Sequence, residues 1–230
     1  MNRFVLIGGG SIQREETLEI DRQVVAMCKM KNPNLLFIGL ASRYADSYYD
    51  IVKKEYRKLG CIVGYLKKSN LINNRDLSMK KIADADIIYI GGGSTSKLLK
   101  RMKEYALDEV FKSIDNKIIV GMSAGAIMCC KSGFSDSFLL ESEEGKFDFI
   151  EGFSLLPLNI CPHYSNLLRK KSLQENLKKV NEKFWCLDDR IALKVEREKI
   201  NVIKSSEDAL VRLCYYVDDE YREEVFYGLD

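Results

Sequence analysis

The sequence predicts an α/β fold: a three-layer sandwich with a mostly parallel central sheet, helices on both of its faces, and antiparallel strands towards the C-terminus. Two observations predict this fold. Before about residue 130, short apolar runs alternate with longer stretches in which apolar residues recur at helical spacing, a pattern typical of a parallel sheet covered by helices. After about residue 147, the sequence changes to short alternating runs separated by charged turns, which predict antiparallel strands.

The apolar runs and amphipathic stretches of the first half define an ordered series of elements. Residues 4–8 are an apolar strand, and the helix at 16–29 has Ile20 and Val24 on its inner face. The later predicted elements, in chain order, are a strand at 34–40, a helix at 44–59, a strand at 61–66, a short helix at 77–83, a strand at 87–90, a helix from 96 to about 105, a strand at 118–120 and a helix at 124–130. Because parallel α/β sheets bind ligands at the carboxyl ends of their strands, we expect the glycine-rich turns after Ile90 and Val120 to lie at the functional edge.

Shorter elements follow in the second half. A strand-like run at 155–161 precedes a basic helix at 168–179, and further strands are predicted at 184–187, 191–196, 199–204 and 210–217. We expect these last strands to be antiparallel and to close one side of the sheet. The whole chain, residues 1–230, is expected to form one domain.

The composition disfavours several classes of protein. With 46% hydrophobic residues the chain can bury a sizeable core, and a formal charge of only +2 gives no bulk bias towards nucleic acid. No secretory signal and no apolar stretch long enough to span a bilayer are visible. The seven cysteines form an odd set without a Cys-x-x-Cys pair, which favours reduced thiols in a cytoplasmic protein over disulfides or zinc. A single histidine further disfavours a metal site.

Ser123 is the first candidate for chemistry because it lies in a Gly-Met-Ser-Ala-Gly pentapeptide at residues 121–125. A nucleophilic serine at a sharp strand-to-helix turn needs small neighbours on both sides, and the apolar run before Gly121 supplies the entering strand. At average glycine and serine usage, such a pentapeptide arises by chance in about one chain of this size in twenty. The neighbouring residues must therefore decide whether Ser123 is catalytic. That context favours a catalytic serine over a tight turn without chemistry.

His163 is the only histidine of the chain, so a serine hydrolase built on Ser123 has one candidate for its general base. A lone histidine is more often a surface or core residue than a catalyst. Here Pro162 restrains the approach to it, and the preceding strand-like run is expected to deliver it to the edge where Ser123 lies. The sequence therefore favours a Ser123–His163 pair.

The turn at residues 91–95, Gly-Gly-Gly-Ser-Thr, has three interpretations. It resembles a phosphate-binding loop, although its spacing matches neither the Walker nor the dinucleotide pattern. It is also typical of a tight turn in which Ser94 or Thr95 caps the following helix. Finally, one of its amides, together with the amide of Ala124, is a candidate oxyanion hole. Capping and oxyanion binding are compatible, and both interpretations stay open.

Three motifs together resemble the peptidase E family of aspartyl dipeptidases and their cyanophycinase relatives. They are Ile-Gly-Gly-Gly-Ser-Thr at 90–95, Gly-Met-Ser-Ala-Gly-Ala at 121–126 and Leu-Pro-Leu-Asn-Ile-Cys-Pro-His-Tyr at 156–164, within a match that runs from the first strand to near residue 195. The resemblance implies a flavodoxin-like fold similar to class I glutamine amidotransferases, with serine in place of their cysteine nucleophile. It also implies a serine peptidase that removes an N-terminal aspartate from short peptides without a cofactor.

On the family's pattern Ser123 is the nucleophile, His163 the base, and the amides of Gly93 and Ala124 the oxyanion hole. The family typically has a glutamate as third member, and this chain departs from it with Asp189, which is one methylene shorter. Either carboxylate can orient an imidazole. The adjacent Asp188 is a rival, and an exposed acidic turn without a catalytic role is the remaining alternative.

Substrate recognition is predicted from the same resemblance. Asp136 matches an acidic residue of the family and is a candidate to bind the free α-amino group of the peptide. The family also has an arginine beyond the histidine that pairs with the substrate's side-chain carboxylate, and Arg169, Lys170 and Lys171 occupy that region. Arg169 is the first candidate to pair with this carboxylate. The alternative interpretation is that these three residues form a solvated basic helix end without a role in binding.

The expected function is therefore a dipeptidase with a Ser-His-Asp triad and an acyl-enzyme, whose partner is a short peptide rather than nucleic acid or a membrane. A monomer or homodimer is expected. Two alternatives stay open: a hydrolase of the same fold that acts on an aspartyl-arginine polymer or an ester, and a non-catalytic binding protein in which Asp189 does not contact His163.

Overall fold

Thirteen strands and the helices around them make up the part of the protein that our computed structural model describes, residues 1–137, 139 and 145–228. The strands are β1 (Arg3–Ile7), β2 (Asn34–Ile38), β3 (Ile62–Leu66), β4 (Ile87–Ile90), β5 (Ile118–Met122), β6 (Cys130–Ser135), β7 (Asp148–Glu151), β8 (Leu156–Cys161), β9 (Phe184–Leu187), β10 (Ile191–Glu196), β11 (Lys199–Lys204), β12 (Val211–Val217) and β13 (Glu220–Phe226). The helices are α1 (Leu18–Met27), α2 (Ala45–Lys58), α3 (Lys68–Asn73), α4 (Arg75–Asp84), α5 (Thr95–Glu104), α6 (Leu107–Ser113), α7 (Ala124–Cys129) and α8 (Leu167–Leu177), and a 3-10 turn spans Ile12–Arg14.

The larger sheet has seven strands in the order β11-β10-β1-β5-β4-β2-β3. The five strands from β1 to β3 are parallel, whereas β10 is antiparallel to β1, and β11 is antiparallel to β10. In this register Ile7 pairs with Met122, and Ile90 pairs with Gly121. The loops that follow β1, β4 and β5 therefore begin side by side at the carboxyl edge.

The smaller sheet has six strands in the order β13-β12-β9-β8-β6-β7. Its middle strands β6, β8 and β9 are parallel, and the flanking pairs are antiparallel. The sheet starts immediately after α7, because β6 begins at the residue that follows the end of that helix. This arrangement puts the end of β8, which precedes His163, close to the elbow that contains Ser123.

Alternate side chains of the larger sheet fill two apolar layers. Val5, Ile7 and Phe37 pack with α1 and α2 on one face, and Leu6 and Ile38 pack on the other. The second face also receives side chains of α5, α6 and α7 and of the smaller sheet, among them Leu98, Phe111, Ile127, Ile160 and Val211. Helix α8 covers the smaller sheet through Leu173 and Leu177. The predicted three-layer α/β class, with its mostly parallel central sheet, is confirmed.

The prediction for the C-terminal strands is wrong in part. Only β10 and β11 close one side of the central sheet; β9 pairs in parallel with β8, and β12 joins β9 in the smaller sheet. Alternation along a run predicts that a strand has one buried face, but it does not determine which strand is its neighbour. The sequence interpretation also contains no strand at the positions of β6, β7 and β13.

Candidate active site

Ser123 lies at a strand-to-helix elbow between β5 and α7. Its backbone has φ 49° and ψ −101°, a conformation that is unfavourable for residues other than glycine. The two glycines of the pentapeptide allow the close approach that this turn requires. A Cβ on Gly121 would lie 2.5 Å from the carbonyl carbon of Gly125, and a Cβ on Gly125 would overlap the carbonyl oxygen of Ile90. The elbow therefore presents the hydroxyl at the carboxyl edge, as the motif predicts.

His163 follows β8 and has a left-handed backbone, with φ 54°. Its N–H donates to the carbonyl of Gly8 at 3.0 Å, and the N–H of the next residue, Tyr164, donates to the carbonyl of Leu187 at 2.9 Å. These bonds connect the loop to both sheets and orient the imidazole. Its Nε2 lies 2.9 Å from the Oγ of Ser123.

Asp189 lies on the other side of the imidazole, with its Oδ1 2.6 Å from His163 Nδ1. Burial alone would raise the pKa of this carboxyl, but the hydrogen bond from His163 and the charges of His163, Arg169 and Arg190 outweigh burial and lower the pKa below its usual value. An ionised carboxylate only accepts hydrogen bonds, so Nδ1 bears the proton and Nε2 is free to accept from the Ser123 hydroxyl. That tautomer is the one a general base needs.

Asp188, the rival acid, has different partners. It is 7% exposed, and both of its oxygens lie 3.0 Å from Nη1 of Arg212. Its Oδ2 also accepts the N–H of Leu210 at 3.0 Å. Asp188 thus connects β9 to β12, and of the two neighbouring acids only Asp189 contacts His163.

Gly8 and Gly9, at the end of β1, are structural parts of this site that the sequence interpretation missed. Three consecutive carbonyls, those of Ile7, Gly8 and Gly9, accept the N–H groups of Ser123, His163 and Arg190 at 2.9–3.0 Å. A Cβ on Gly8 would overlap the carbonyl oxygen of Asp188, and a Cβ on Gly9 would overlap the Asp189 carboxylate and the imidazole. The glycine triplet directly after the first apolar strand was the available signal.

The loop after β4 lies beside Ser123. A Cβ on Gly92 would be 3.6 Å from the Cβ of Ser123, and Gly93 has φ 137° and packs against the backbone of Ala41. Ser94 is the N-cap of α5, where its hydroxyl accepts the N–H of Lys97. Ala124 is the first residue of α7, a position whose amide has no partner within its own helix. The capping interpretation is confirmed, and the oxyanion roles of Gly93 and Ala124 stay predictions.

Asp136 and Arg169, the two predicted substrate-binding residues, contact each other. Arg169 Nη2 lies 2.6 Å from Asp136 Oδ2, Nη1 donates to the Phe134 carbonyl at 3.2 Å, and the guanidinium stacks on Phe147. The arginine side chain is only 4% exposed, whereas that of Asp136 is 37% exposed. Arg169 is therefore not part of a solvated helix end. Lys170, the next residue of α8, pairs with Glu223 on β13.

A buried hydroxyl network connects the Asp136 segment to the loop after β4. Ser137 Oγ accepts the N–H of Thr95 at 2.7 Å and that of Ser96 at 3.3 Å, and Ser135 Oγ donates to Thr95 Oγ1 at 3.0 Å. Ser135, Ser137 and Thr95 are all buried. Asp136 is thereby held next to the N-terminus of α5, on the side of the site where the smaller sheet lies.

Other features of the described residues bear on the class of protein. Within residues 1–137, 139 and 145–228, no three His, Cys, Asp or Glu side chains are arranged to hold a metal ion. In the same part of the chain, no helix has both the length and the apolar character needed to cross a bilayer. All seven cysteines are free, and only Cys28 is partly exposed.

The chain is similar over most of its length to proteins that are named as peptidases. It is 26% identical over 200 residues to a Bacillus subtilis (strain 168) protein named "Uncharacterized peptidase YgaJ". The aligned region covers 84% of this chain and 83% of that protein. It is also 25% identical over 213 residues to a protein named "Peptidase E" from Nostoc sp. (strain PCC 7120). This aligned region covers 87% of this chain and 85% of that protein.

The fold is also found among solved structures. The crystal structure of a peptidase from an acI-B1 Actinobacterium superposes with a TM-score of 0.69 at 18% identity, covering 100% of this chain and 96% of that one. The sequence model of peptidase family S51 matches residues 4–203, a range that includes β1, both glycine-rich turns, Ser123, His163 and Asp189. The chain therefore belongs to peptidase family S51, a family of peptide hydrolases.

Proposed function

We propose that the protein is a serine exopeptidase that removes an N-terminal residue, preferably aspartate, from short peptides. The observation that supports this most is the continuous hydrogen-bonded series from Ser123 through His163 to Asp189, with distances of 2.9 Å and 2.6 Å. A nucleophile, a base and an acid in this order are the parts that acyl transfer requires.

The proposed reaction begins when His163 Nε2 accepts the Oγ proton of Ser123 as Oγ attacks the scissile carbonyl carbon. The amides of Gly93 and Ala124 donate hydrogen bonds to the oxyanion that forms. His163 then gives its proton to the leaving nitrogen, the C–N bond breaks, and an ester on Ser123 remains. Water, deprotonated by His163, attacks that ester, and the proton returns to Ser123 Oγ as the acid product leaves.

Asp189 is ionised during this cycle, because its pKa is lowered by the imidazole and by nearby guanidinium groups. Its charge stabilises the imidazolium that exists after the first proton transfer. The Asp189 carboxylate itself takes up no proton in the proposed reaction.

Substrate recognition is assigned to the Asp136–Arg169 pair. The exposed part of the Asp136 carboxylate is proposed to bind the α-amino group, and Arg169 holds that carboxylate in place through the 2.6 Å ion pair. The Arg169 charge also acts on the catalytic acid, since it contributes to the lowered pKa of Asp189. Once the α-amino group also pairs with Asp136, the Arg169 charge is no longer fully neutralised, and this positive charge is proposed to favour substrates whose first residue is acidic.

The test is hydrolysis of a dipeptide panel that includes Asp-Leu and Ala-Leu, without added metal, by the wild type and by Ser123→Ala. We expect leucine release from Asp-Leu that is lost in the variant, and labelling of the wild type alone by a serine-reactive phosphonate. Serine-dependent turnover of other substrates in preference to Asp-Leu would retain the triad and remove the aspartate preference. Absence of both turnover and labelling would contradict the proposed function.

The Arg169→Ala variant tests the acidic preference, with Lys171→Ala as a control on the same helix. The ratio of kcat/KM for Asp-Leu to that for Ala-Leu is measured within each variant, so the fraction of folded protein cancels. We expect the ratio to fall in Arg169→Ala by roughly tenfold, because the acidic side chain of the substrate loses the attraction of one nearby positive charge. An unchanged ratio would refute the role of Arg169.

A further inference from the structure

A cavity of about 490 Å³ opens at the carboxyl ends of β2 and β3, on the outer side of the loop after β4. Its lining includes Leu40 and Ser42 after β2, and Leu66 and Lys67 at the end of β3. Other cavities, lined by Met1 and Glu196, lie at the opposite, amino-terminal edge of the sheet. Since ligands of parallel α/β sheets bind at the carboxyl edge, the cavity at β2 and β3 is better placed for a ligand than these two, and a further cavity beside Asp189 and Arg190 belongs to the candidate active site itself.

The charges around this cavity are mostly positive. Arg43, Lys67, Lys68 and Arg101 line it, against the single carboxylate of Asp46. Lys67 lies 3.3 Å from that carboxylate, and Arg101 donates to the Leu40 carbonyl at 2.6 Å. Arg43 and Lys68 are exposed and have no ion-pair partner among the described residues. The lining therefore has positive charge that its own carboxylate does not neutralise.

The cavity adjoins the candidate oxyanion loop. A Cβ on Gly93 would be 3.1 Å from the backbone nitrogen of Ser42, and the Ser94 N–H donates to the Ala41 carbonyl at 3.1 Å. Ser42 is itself part of the cavity lining, and its hydroxyl accepts the N–H of Tyr44. A peptide that passes over this loop from Ser123 would enter the cavity directly.

The strand order gives the distance from the nucleophile. Ser123 follows β5, and the order β5-β4-β2-β3 places β2 two strands away and β3 three strands away. With about 4.8 Å between neighbouring strands, the cavity lies about 10–14 Å from Ser123 along the sheet. The terminal carboxylate of a dipeptide is too close to the scissile carbonyl to span that distance. An extended peptide advances about 3.3 Å per residue, so the third residue after the scissile bond is the first to enter the cavity.

We infer that this cavity binds a carboxylate of the leaving peptide, about three residues beyond the scissile bond. The inference rests on the proposed removal of one N-terminal residue: a single acyl residue cannot extend 10 Å, so a group that occupies the cavity belongs to the leaving segment. Arg43 and Lys68 pair with the carboxylate, and the ring of Tyr44, 73% exposed, contacts the residues before it. A tetrapeptide with a free C-terminus can then make this contact, and dipeptides leave the cavity empty.

The experiment measures binding to the Ser123→Ala protein, which cannot turn the ligand over. The probes are Asp-Leu-Gly-Gly and its C-terminal amide, with Asp-Leu and its amide as the short pair, and the readout is Kd by calorimetry. We expect the tetrapeptide acid to bind roughly three- to tenfold more tightly than its amide, with no such preference for the dipeptide. Adding Arg43→Ala and Lys68→Ala should abolish the preference, whereas Arg22→Ala with Lys80→Ala, which removes the same charge elsewhere, should retain it.

Three results would each overturn the inference. The tetrapeptide acid and amide could have equal Kd values, the preference could survive in the Arg43→Ala/Lys68→Ala protein, or neither tetrapeptide could bind. Hydrolysis by the wild type is assayed separately with the same four peptides. Serine-dependent hydrolysis without an acid preference would leave the proposed function intact and refute the cavity's role. Tighter binding of the tetrapeptide acid without hydrolysis of any of the four peptides would support the cavity's role and refute the proposed function.

Discussion

At the scale of single residues, Asp188 and Asp189 are neighbours in sequence with different environments. Asp189 contacts the imidazole of His163, whereas Asp188 is buried against Arg212 and the Leu210 amide. Asp188 comes directly after β9 and faces β12, whereas Asp189 lies in the turn that leads to β10 and faces the site. The sequence alone left both open, since two adjacent carboxylates in a charged turn look alike.

Asp189→Asn and Asp188→Asn should therefore separate catalysis from stability. Asp189→Asn should lower kcat by about 10²–10⁴-fold, because the amide no longer selects the Nδ1–H tautomer or stabilises the imidazolium. Asp188→Asn should leave kcat nearly unchanged and lower the free energy of unfolding by about 1–3 kcal/mol, because Arg212 loses a charged partner. Dipeptide kinetics and urea unfolding of both variants check this; a large loss of kcat in a fully stable Asp188→Asn protein would contradict the assignment.

At the scale of elements, the end of β1 determines the arrangement of the three loops that contain the candidate triad. Ser123, His163 and Arg190, which follows Asp189, donate to consecutive carbonyls there. Both Gly8 and Gly9 lack the space for a side chain. Since catalysis depends on sub-ångström placement, the geometry should be very sensitive to this segment.

Gly9→Ala should reduce kcat/KM by at least about 100-fold, because its Cβ would force the Asp189 carboxylate and the imidazole apart. Gly64→Ala in β3 is the matched control, since its Cβ would be 3.6 Å from the nearest atom, in ordinary contact with Leu36. Kinetics of the two variants, with circular dichroism to establish that both fold, is the measurement. Wild-type activity in Gly9→Ala would show that the loops are fixed by other contacts.

Helices α1 and α2 are joined by a buried carboxyl. Asp21 is 3% exposed and accepts hydrogen bonds from Tyr56 at 2.7 Å and from Thr17 at 2.8 Å. Burial raises its pKa to about 6, although both hydrogen bonds act in the opposite direction. Between the unfolded and folded pKa values, the native state binds more protons than the unfolded state, so stability must fall as pH rises through this interval.

Asp21→Asn should remove that dependence, because the amide has no charge to desolvate and retains an oxygen for Tyr56. The wild type should lose up to about 3 kcal/mol of unfolding free energy from this group between pH 4 and pH 7, and the variant should be the more stable protein at neutral pH. Urea unfolding at a series of pH values compares the two, with Asp50→Asn, on the exposed side of α2, as control. If the unfolding free energy changes with pH in the same way in the wild type and in Asp21→Asn, the assignment of this pH dependence to Asp21 is contradicted.

The sequence predicted the parallel strands of the larger sheet well because each contains a short, mostly buried apolar run between helices, and such runs differ clearly from amphipathic stretches. It did not predict β6, because that strand, Cys-Lys-Ser-Gly-Phe-Ser, follows α7 without a loop and contains few apolar residues. The partners of β9 and β12 could not be predicted either, since strand neighbours depend on tertiary packing rather than on periodicity. The candidate triad residues, whose roles stay predictions, could be proposed because each belongs to a local motif, whereas Gly9 acts only through residues far away in sequence.

At the scale of the whole molecule, the cysteines report on the integrity of the core. Six of the seven are buried, one just before β3, one in α7 and four in strands of the smaller sheet, and burial raises the pKa of Cys61 and of Cys129 to about 12. Burial keeps all six from a reagent in solution, and the raised pKa of Cys61 and Cys129 also keeps these two thiols protonated at mild pH, whereas the thiolate is the reactive form.

A thiol-reactive aromatic disulfide should therefore modify about one cysteine of the native protein rapidly at pH 8, and all seven in denaturant. Cys28→Ser should eliminate the fast reaction, because Cys28 is the only partly exposed cysteine. The release of the coloured thiol over time measures both phases. Several equally fast thiols in the native protein would contradict this burial.

The position of β1 also determines when the active site can form during synthesis. β1 comprises Arg3–Ile7, but its neighbours in the sheet, β5 and β10, begin at Ile118 and Ile191. The ribosome thus releases the strand that orients the candidate triad long before either neighbour, and Asp189 comes still later than Ser123 and His163. We therefore expect the candidate triad to form only after Asp189 and β10 have been translated, because the acid and one neighbour of β1 come late in the chain.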